Sequence, residues 1–244
     1  MSNTLIVTSG KGGTGKSMVA CNLGLSLSYL GKKTVMIDMN PEMRALDLYL
    51  GVENRAIFDV DDIMKGRCSF DTAIIYPENM HGLAVIPSPP ARSAKDWTEE
   101  SLEEVLKVAC GRFDFVILDC PPGSCGITDV CAQCADVALF VTTPDHVSVR
   151  SLEALEDRFI RMGISRRRLI INSIEPHMIE KKTEPDIESI CSRFRCELLG
   201  NVMYDTNIRA SMGIGMPVVA KRDSYIAANF DKMARELIKE AEEI

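Results

Sequence analysis

The chain has 244 residues, of which 46% are hydrophobic and 26% charged, a composition typical of folded globular proteins and not of disordered or fibrous ones. Its 35 acidic residues outnumber its 28 basic residues, which argues against a protein that coats nucleic acid. Because no apolar run is long enough to cross a membrane, no signal peptide is recognisable and the nine cysteines are an odd number, we expect a cytoplasmic protein with reduced thiols.

Short apolar runs alternate along the chain with segments of helical periodicity. The predicted strands are residues 4–9, 33–38, 83–87, 113–119, 137–142, 169–172 and 198–203. The predicted helices are residues 17–30, 99–110, 148–162, 184–194 and 225–241. Because the strand runs are continuously apolar, we expect parallel strands covered by helices on both faces. The sequence therefore predicts an α/β protein in which residues 1–244 form a single domain around a mostly parallel, twisted sheet.

Residues 10–17, between the first predicted strand and the first predicted helix, read GKGGTGKS and fit the pattern G-x-x-x-x-G-K-[ST]. Glycines let backbone amides approach phosphate oxygens, and the start of a helix presents free N–H groups to the same anion. We therefore predict a phosphate-binding loop in which Lys16 contacts the β- and γ-phosphates and Ser17 ligates Mg²⁺. The predicted nucleotide contacts in this segment are Gly12, Gly13, Thr14, Gly15, Lys16, Ser17 and Met18.

Two of the predicted strands end in a carboxylate, Asp38 and Asp119. We expect Asp119 to hold the magnesium ion through water, which makes it a metal-site residue beside Ser17. The turn that follows, residues 119–123, would place the amide of Gly123 where it can sense a γ-phosphate. Either aspartate could instead cap the loop that follows it.

Several segments carry a family resemblance. Residues 11–17 resemble the deviant Walker A loop of the MinD/ParA superfamily of P-loop ATPases, which has an extra lysine near the start of the loop. Residues 119–123 resemble the D-x-P-x-G switch of that superfamily. Residues 37–51, 142–151 and 204–218 are similar to the corresponding segments of its MinD branch, which regulates the site of cell division. The resemblance covers nearly the whole chain.

The resemblance implies an ATPase that binds ATP and Mg²⁺ and forms an ATP-dependent homodimer with the nucleotides between the subunits. The extra lysine, here Lys11, would then reach the phosphates of the partner and neutralise charge on the transferred phosphoryl group. Asn172 falls where the family often has a residue that contacts adenine, although it could instead cap a strand end. Asp205 lies in a segment that would flank the base. A regulatory protein partner is expected to recognise the nucleotide-ordered switch segments.

The chain departs from the family pattern at Asn40, where the family usually has the second aspartate of a D-x-D motif. An asparagine can orient a water molecule but cannot take up its proton, so we predict slow hydrolysis. Met203 replaces a proline of the family. The last 24 residues contain five basic and six acidic residues, and we therefore expect no membrane binding through the C terminus. The predicted catalytic residues are Lys11, Lys16, Asp38 and Asn40.

Three alternatives remain open from the sequence. A ParA-type or flagellar-positioning ATPase would act with DNA or a polar complex, and the basic run of Arg158, Arg161 and residues 166–168 is the candidate DNA surface; a solvated basic helix end is the simpler interpretation. A nucleotide-sensing scaffold would hydrolyse little ATP. An iron–sulfur or redox relative would use Cys125, Cys131 and Cys134, although buried thiols without a ligand are the simpler interpretation.

Overall fold

The strands form where the sequence is continuously apolar, because a parallel strand in the middle of a sheet is covered on both faces. The structure is a computed structural model that describes residues 3–90 and 96–243. Its strands are β1 Asn3–Thr8, β2 Thr34–Asp38, β3 Leu83–Ile86, β4 Phe115–Asp119, β5 Val137–Thr142, β6 Arg167–Ile174 and β7 Glu197–Met203. They form one parallel sheet in the order β3-β2-β4-β1-β5-β6-β7. The predicted fold class is confirmed, and the extent of the domain over residues 1–244 stays a prediction.

Helices connect the strands and cover the sheet. Those described are α1 Lys16–Tyr29, α2 Leu46–Tyr49, α3 Val60–Met64, α4 Phe70–Ala73, α5 Glu99–Cys110, α6 Gly126–Gln133, α7 His146–Arg161, α8 Pro176–Glu180, α9 Ile187–Cys191, α10 Thr206–Gly213 and α11 Tyr225–Glu242. The helix predicted at 184–194 is wrong in length, because α9 begins only after Asp186, whose side chain accepts a hydrogen bond from the Ser189 amide. None of the helices in the described ranges combines the length and apolar character that crossing a membrane requires.

The two faces of the sheet carry separate apolar layers, because successive side chains of a strand point to opposite sides. On β1, Leu5 and Val7 lie in the layer that contains Phe230 of α11. Between them, Ile6 lies in the opposite layer with Leu152 of α7. The expectation of helices on both faces is therefore confirmed.

The parallel arrangement gathers the chemically informative strand ends at one edge of the sheet. In the strand register, Asp119 of β4 pairs with Val7 on one side and with Asp38 of β2 on the other. The loop after β1, which contains the glycine-rich segment, therefore starts beside both carboxylates. Ligands bind at this edge in open parallel sheets.

Candidate nucleotide-binding site

The glycine-rich loop is held in a conformation that a larger residue would disturb at Gly15. This residue has a φ of 90° and precedes the first residue of α1. A Cβ atom there would lie 2.3 Å from Nδ2 of Asn172. The Asn172 amide in turn donates a hydrogen bond to the Thr14 carbonyl at 2.8 Å. Asn172 of β6 therefore packs directly against the loop and leaves no room for a side chain at residue 15.

Lys16 is buried at the start of α1, with only 6% of the residue exposed. Its Nζ atom donates to Oγ of Ser9 at 3.1 Å, and the Ser9 hydroxyl donates to the Lys11 carbonyl at 2.7 Å. Burial lowers the pKa of Lys16, while the nearby Asp119 opposes this shift. Ser9 therefore links the start of the loop, at Lys11, to the side chain of Lys16 and orients that side chain. Sequence reasoning missed Ser9, and its position at the junction of strand and loop is the only signal that points to it.

Asp119 is a buried carboxylate whose oxygens accept no hydrogen bond of normal geometry within the described part of the chain. Burial and the nearby Asp38 raise its pKa to about 8, against the opposing effects of the Ser17 hydroxyl and Lys16. An unpaired buried carboxylate is costly unless a cation or a donor completes it. The arrangement therefore fits the predicted divalent metal site, in which the Ser17 hydroxyl would ligate the ion and Asp119 would hold it through water.

Asp38 uses its carboxylate to hold the segment that follows β2. Its Oδ1 atom accepts from the Asn40 amide at 2.9 Å, and Oδ2 accepts from the Ala45 and Leu46 amides at 2.9 and 3.1 Å. Burial raises its pKa to about 6 although these backbone bonds oppose the shift, and Asp47 raises the pKa further. This geometry is that of a loop cap, the alternative left open by the sequence, and the catalytic role of Asp38 stays a prediction.

Asn40, the departure from the family pattern, is 4% exposed and lies beside Asp38. Its side-chain oxygen accepts no hydrogen bond within the described residues. The hydroxyl of Thr14 in the phosphate loop is likewise buried without a partner there. Buried polar atoms without partners are rare in folded proteins and are typical of places completed by a ligand or by water.

Lys11 is bound within its own chain. Its Nζ atom lies 3.1 and 3.2 Å from the two carboxylate oxygens of Asp145, the residue that caps α7. Burial alone would raise the pKa of Asp145, but bonds from Thr143, Ser148 and Lys11 lower it below the ordinary value. The role of Lys11 across a dimer interface stays a prediction, and it requires this ion pair to open.

The amide of Gly123, predicted to sense a γ-phosphate, donates to the Ser9 carbonyl at 2.7 Å. The turn after Asp119 is therefore fastened to the start of the phosphate loop. A contact between this amide and a phosphate stays a prediction that requires this hydrogen bond to break.

A cavity of about 490 Å³ opens beside the loop at the ends of β6 and β7. Asn172 and Asp205 both line it, as do Gly13, Gly15 and Met18 of the predicted set. The Asp205 carboxylate, however, caps α10 and accepts from the Asn207 amide and from the Tyr225 hydroxyl, both at 2.7 Å. Met203 and Tyr204, which belong to the segment predicted to flank the base, also line it. The lining residues that sequence reasoning missed are Tyr49, Ser173, Ile208, Arg209, Met212 and Gly213.

The cysteines of the iron–sulfur alternative do not assemble into one site. Cys125 makes a hydrogen-bond contact with Thr128 at 3.3 Å, whereas Cys134 donates to the Glu99 carbonyl at 3.9 Å. All nine cysteines are unbridged, and the residues that the structure describes contain no group of three histidine, cysteine or acidic residues placed to hold a metal ion. The structure adds no support to that alternative.

Residues 1–238 match the family model ParA, described as NUBPL iron-transfer P-loop NTPase. The chain belongs to the ParA family. This match confirms the resemblance predicted from the phosphate loop and the switch. The P-loop NTPases of the MinD/ParA family are ATPases.

Within the ParA family, the chain is similar to septum site-determining proteins. It is 32% identical over 239 residues to MinD of Synechocystis sp., covering 97% of this chain and 90% of that protein. It is 30% identical over 249 residues to MinD of Bacillus subtilis, covering 99% of this chain and 91% of that protein.

Solved structures give the same result for this ParA-family chain. The MinC:MinD cell division protein complex of Aquifex aeolicus matches with a TM-score of 0.90 and 25% identity, covering 98% of this chain and 96% of that one. The septum site-determining protein MinD complexed with Mg-ADP from Pyrococcus horikoshii matches with a TM-score of 0.87 and 26% identity, covering 99% of this chain and 98% of that one.

Proposed function

We propose that this protein is a MinD-like ATPase that binds Mg²⁺ and ATP and works as an ATP-dependent dimerisation switch in spatial regulation, such as the placement of a cell-division site. The observation that carries the proposal is the buried, unpaired carboxylate of Asp119 beside a glycine-rich loop that begins a helix. A relative of the same fold is described as complexed with Mg-ADP, which supports the same ligand here.

Different residues of the site have different roles in binding the nucleotide and in its hydrolysis. Backbone amides of residues 12–17 grip the phosphates, and Lys16 balances their charge from within the loop. Asp119 and Ser17 would hold the metal ion, which supplies positive charge to the phosphate oxygens. Lys11, once released from Asp145, is the group able to reach the phosphates of a second subunit.

Asn40 leads us to propose that hydrolysis is slow. Its amide oxygen is buried and free to accept a hydrogen bond from a water molecule, but it cannot remove a proton from that water. A slow step would keep the ATP-bound dimer in existence for longer. The same observation favours a second candidate, a nucleotide-sensing scaffold in which dimerisation and partner binding matter more than turnover.

A regulatory protein is the proposed partner. One solved relative is described as a complex of MinC with MinD, which supports a protein client for the nucleotide-ordered surface. The switch segments around Asn40 and Gly123 are the parts expected to change when the nucleotide changes.

The mass of the protein in solution tests the proposal. Size-exclusion chromatography with light scattering should show a monomer with Mg-ADP and a dimer with Mg-ATP. Lys11→Ala should remain monomeric with Mg-ATP, because the charge across the interface is lost. Lys33→Ala, which alters an exposed lysine before β2, serves as the control and should dimerise like the wild type. An unchanged mass with ATP, or normal dimerisation of Lys11→Ala, would contradict the proposal.

A further inference from the structure

Two glycine turns touch each other backbone to backbone between α2 and α10. Gly51 follows the end of α2 and Gly215 follows the end of α10, with φ angles of 65° and 70°. A Cβ atom on Gly215 would lie 2.6 Å from Cα of Gly51 and 3.3 Å from the Leu48 carbonyl oxygen. A Cβ atom on Gly51 would lie 3.2 Å from the Gly215 carbonyl oxygen. Since no side chain separates the two turns, their backbones are in direct contact, and neither turn can move toward the other without displacing it.

The α2 side of this contact leads to the segment that carries Asn40. The Asp38 carboxylate accepts hydrogen bonds from the amides of Asn40, Ala45 and Leu46. The start of α2 and the Asn40 backbone are therefore held by the same carboxylate. One turn further along α2, Tyr49 is half-buried and lines the cavity beside the phosphate loop.

The α10 side of the contact also leads to that cavity. Ile208 and Met212 of α10 line it together with Tyr49. Met18, at the start of α1, also lines the cavity, and like Met212 it has a flexible apolar side chain that can adapt to a flat ring. A nucleobase in the cavity would therefore contact α2 and α10 at the same time, whereas a phosphate chain in the loop would contact neither.

We propose that Tyr49, Gly51 and Gly215 are positioning residues that couple the base of the nucleotide to Asn40. The base contacts both α2 and α10, and the glycine contact fixes the position of one helix relative to the other. Because Asp38 binds the start of α2 and the Asn40 amide, the position of α2 also determines that of the Asn40 segment. The base, and not only the phosphates, then decides whether residues 40–50 are ordered. The inference rests on the proposed nucleotide function and adds to it a role for residues remote from the phosphates.

Hydrogen exchange with mass spectrometry on the whole protein separates the two contributions. The probes are saturating Mg-ADP and saturating Mg-pyrophosphate, which share the phosphate contacts and differ in the nucleoside. Both should slow exchange in residues 10–18. Only Mg-ADP should slow exchange in residues 40–50, by about threefold or more.

Three variants and one control sharpen this test. Gly215→Ala and Tyr49→Ala should lose the difference between the two ligands at residues 40–50 and keep the protection of residues 10–18. Tyr49→Phe should keep the difference, because the ring remains. Gly163→Ala is the control for a positive φ without a contact, since its φ is 83° and nothing lies within 4 Å of its Cβ position. If Gly215→Ala does not fold, the ligand difference at residues 40–50 in Tyr49→Ala is sufficient to test the inference.

Two results would overturn the inference while leaving the proposed function standing. One is equal protection of residues 40–50 by pyrophosphate and by ADP in the wild type, and the other is an unchanged ligand difference in Tyr49→Ala. A lack of protection of residues 10–18 by either ligand would instead overturn the proposed function, and the inference with it.

Discussion

At the scale of single residues, the site contains several polar groups that folding leaves incomplete. Asp119 and Asn40 are buried, and their side-chain oxygens lack hydrogen-bond partners within the described residues. Such groups reduce the stability of the ligand-free fold, because burial removes them from bulk water and no donor of the described residues takes its place. Such groups are found at functional sites, where a bound ligand supplies the missing hydrogen bond or charge. The residues that favour activity there lower the stability of the ligand-free protein.

Asp119→Asn should stabilise the nucleotide-free protein. The raised pKa of Asp119 means that folding must either bury a charge or take up a proton, and both cost free energy. The amide variant removes this cost, and thermal unfolding in the presence of a chelator should shift upward by about 2–4 °C for each kcal/mol gained. The same variant should lose the stabilisation that the wild type gains from Mg-ADP. The exposed control Asp157→Asn should change neither value, and a lower melting temperature for Asp119→Asn would contradict the argument.

Asn40→Asp should speed ATP hydrolysis. A carboxylate at this position can accept a proton from the attacking water, which the amide cannot, and we expect a gain of about tenfold or more in the single-turnover rate. Asn40→Ala, which removes the hydrogen-bond acceptor, should be slower than the wild type. Rates should be measured with enzyme in excess of labelled ATP. Fast wild-type hydrolysis that Asn40→Ala leaves unchanged would refute the role of Asn40.

At the scale of secondary-structure elements, close contacts between elements hold the site in shape. The loop after β1 lies against the backbone of α7, and a Cβ atom on Gly10 would be 2.2 Å from the carbonyl carbon of Ser151. On the same face of the sheet as α7, a hydrogen bond joins α3 to the start of α5. Nε1 of Trp97, one residue before the cap of α5, donates to the buried Asp61 of α3 at 2.9 Å.

Gly10→Ala should destabilise the nucleotide-free protein much more than Gly12→Ala. The added methyl group of Gly10→Ala would push the loop away from α7, at a cost of about 1–3 kcal/mol. At Gly12 the nearest atom to the added carbon is Cγ of Pro122 at 4.0 Å, so little has to move. Urea unfolding without nucleotide measures both values. Equal losses in the two variants would show that the contact with α7 does not matter.

The contact between α3 and α5 should make stability depend on pH through Asp61. Burial alone would raise the pKa of Asp61, but bonds from Lys65, Trp97 and Arg67 lower it below the ordinary value. A lowered carboxyl pKa contributes stability above the unfolded value of about 3.9, and this contribution is lost as the pH falls through the folded pKa.

Asp61→Asn should therefore be less stable than the wild type at neutral pH, by about 1–3 kcal/mol, and the difference should shrink below about pH 4. Fluorescence of Trp97, the single tryptophan, follows urea unfolding at each pH. The exposed control Glu100→Gln should show no such pH-dependent difference. A constant difference between Asp61→Asn and the wild type at all pH values would disprove the linkage.

At the scale of the whole molecule, the distribution of charge bears on the DNA-binding alternative. Four arginines of the basic run contact acidic residues of their own chain. These pairs are Arg158 with Asp129, Arg166 and Arg168 with Glu240, and Arg167 with Glu156. Because the formal net charge is also −7, the run does not form a concentrated positive surface.

The protein should accordingly show no salt-dependent binding to DNA with either ADP or ATP. Fluorescence anisotropy with a labelled duplex, titrated at salt concentrations between about 50 and 200 mM, measures this directly. A protein that neutralises several phosphates would lose affinity steeply over that range. Tight binding at low salt that is lost in Arg161→Ala would favour the ParA-type alternative.

The sequence by itself determined the parallel α/β fold, the phosphate loop at residues 10–17 and the carboxylates at the strand ends. These features depend on apolar runs and on short fixed spacings, which neighbouring residues specify. Helices such as α2 and α10 were not predicted, because four to eight residues contain too few turns to show a period.

Only the tertiary structure decided what the polar groups of the site contact. Lys11 and Asp145 are 134 residues apart in sequence, and Gly51 meets Gly215 from a distant helix. Nothing near either residue in sequence encodes such a contact, because it arises when the sheet brings separate loops to one edge. The ion pair of Lys11 and the cavity beside Tyr49 therefore follow from packing between elements rather than from local pattern. The loop cap formed by Asp38 is different, because it joins residues at most eight positions apart, and the sequence had offered it as an alternative.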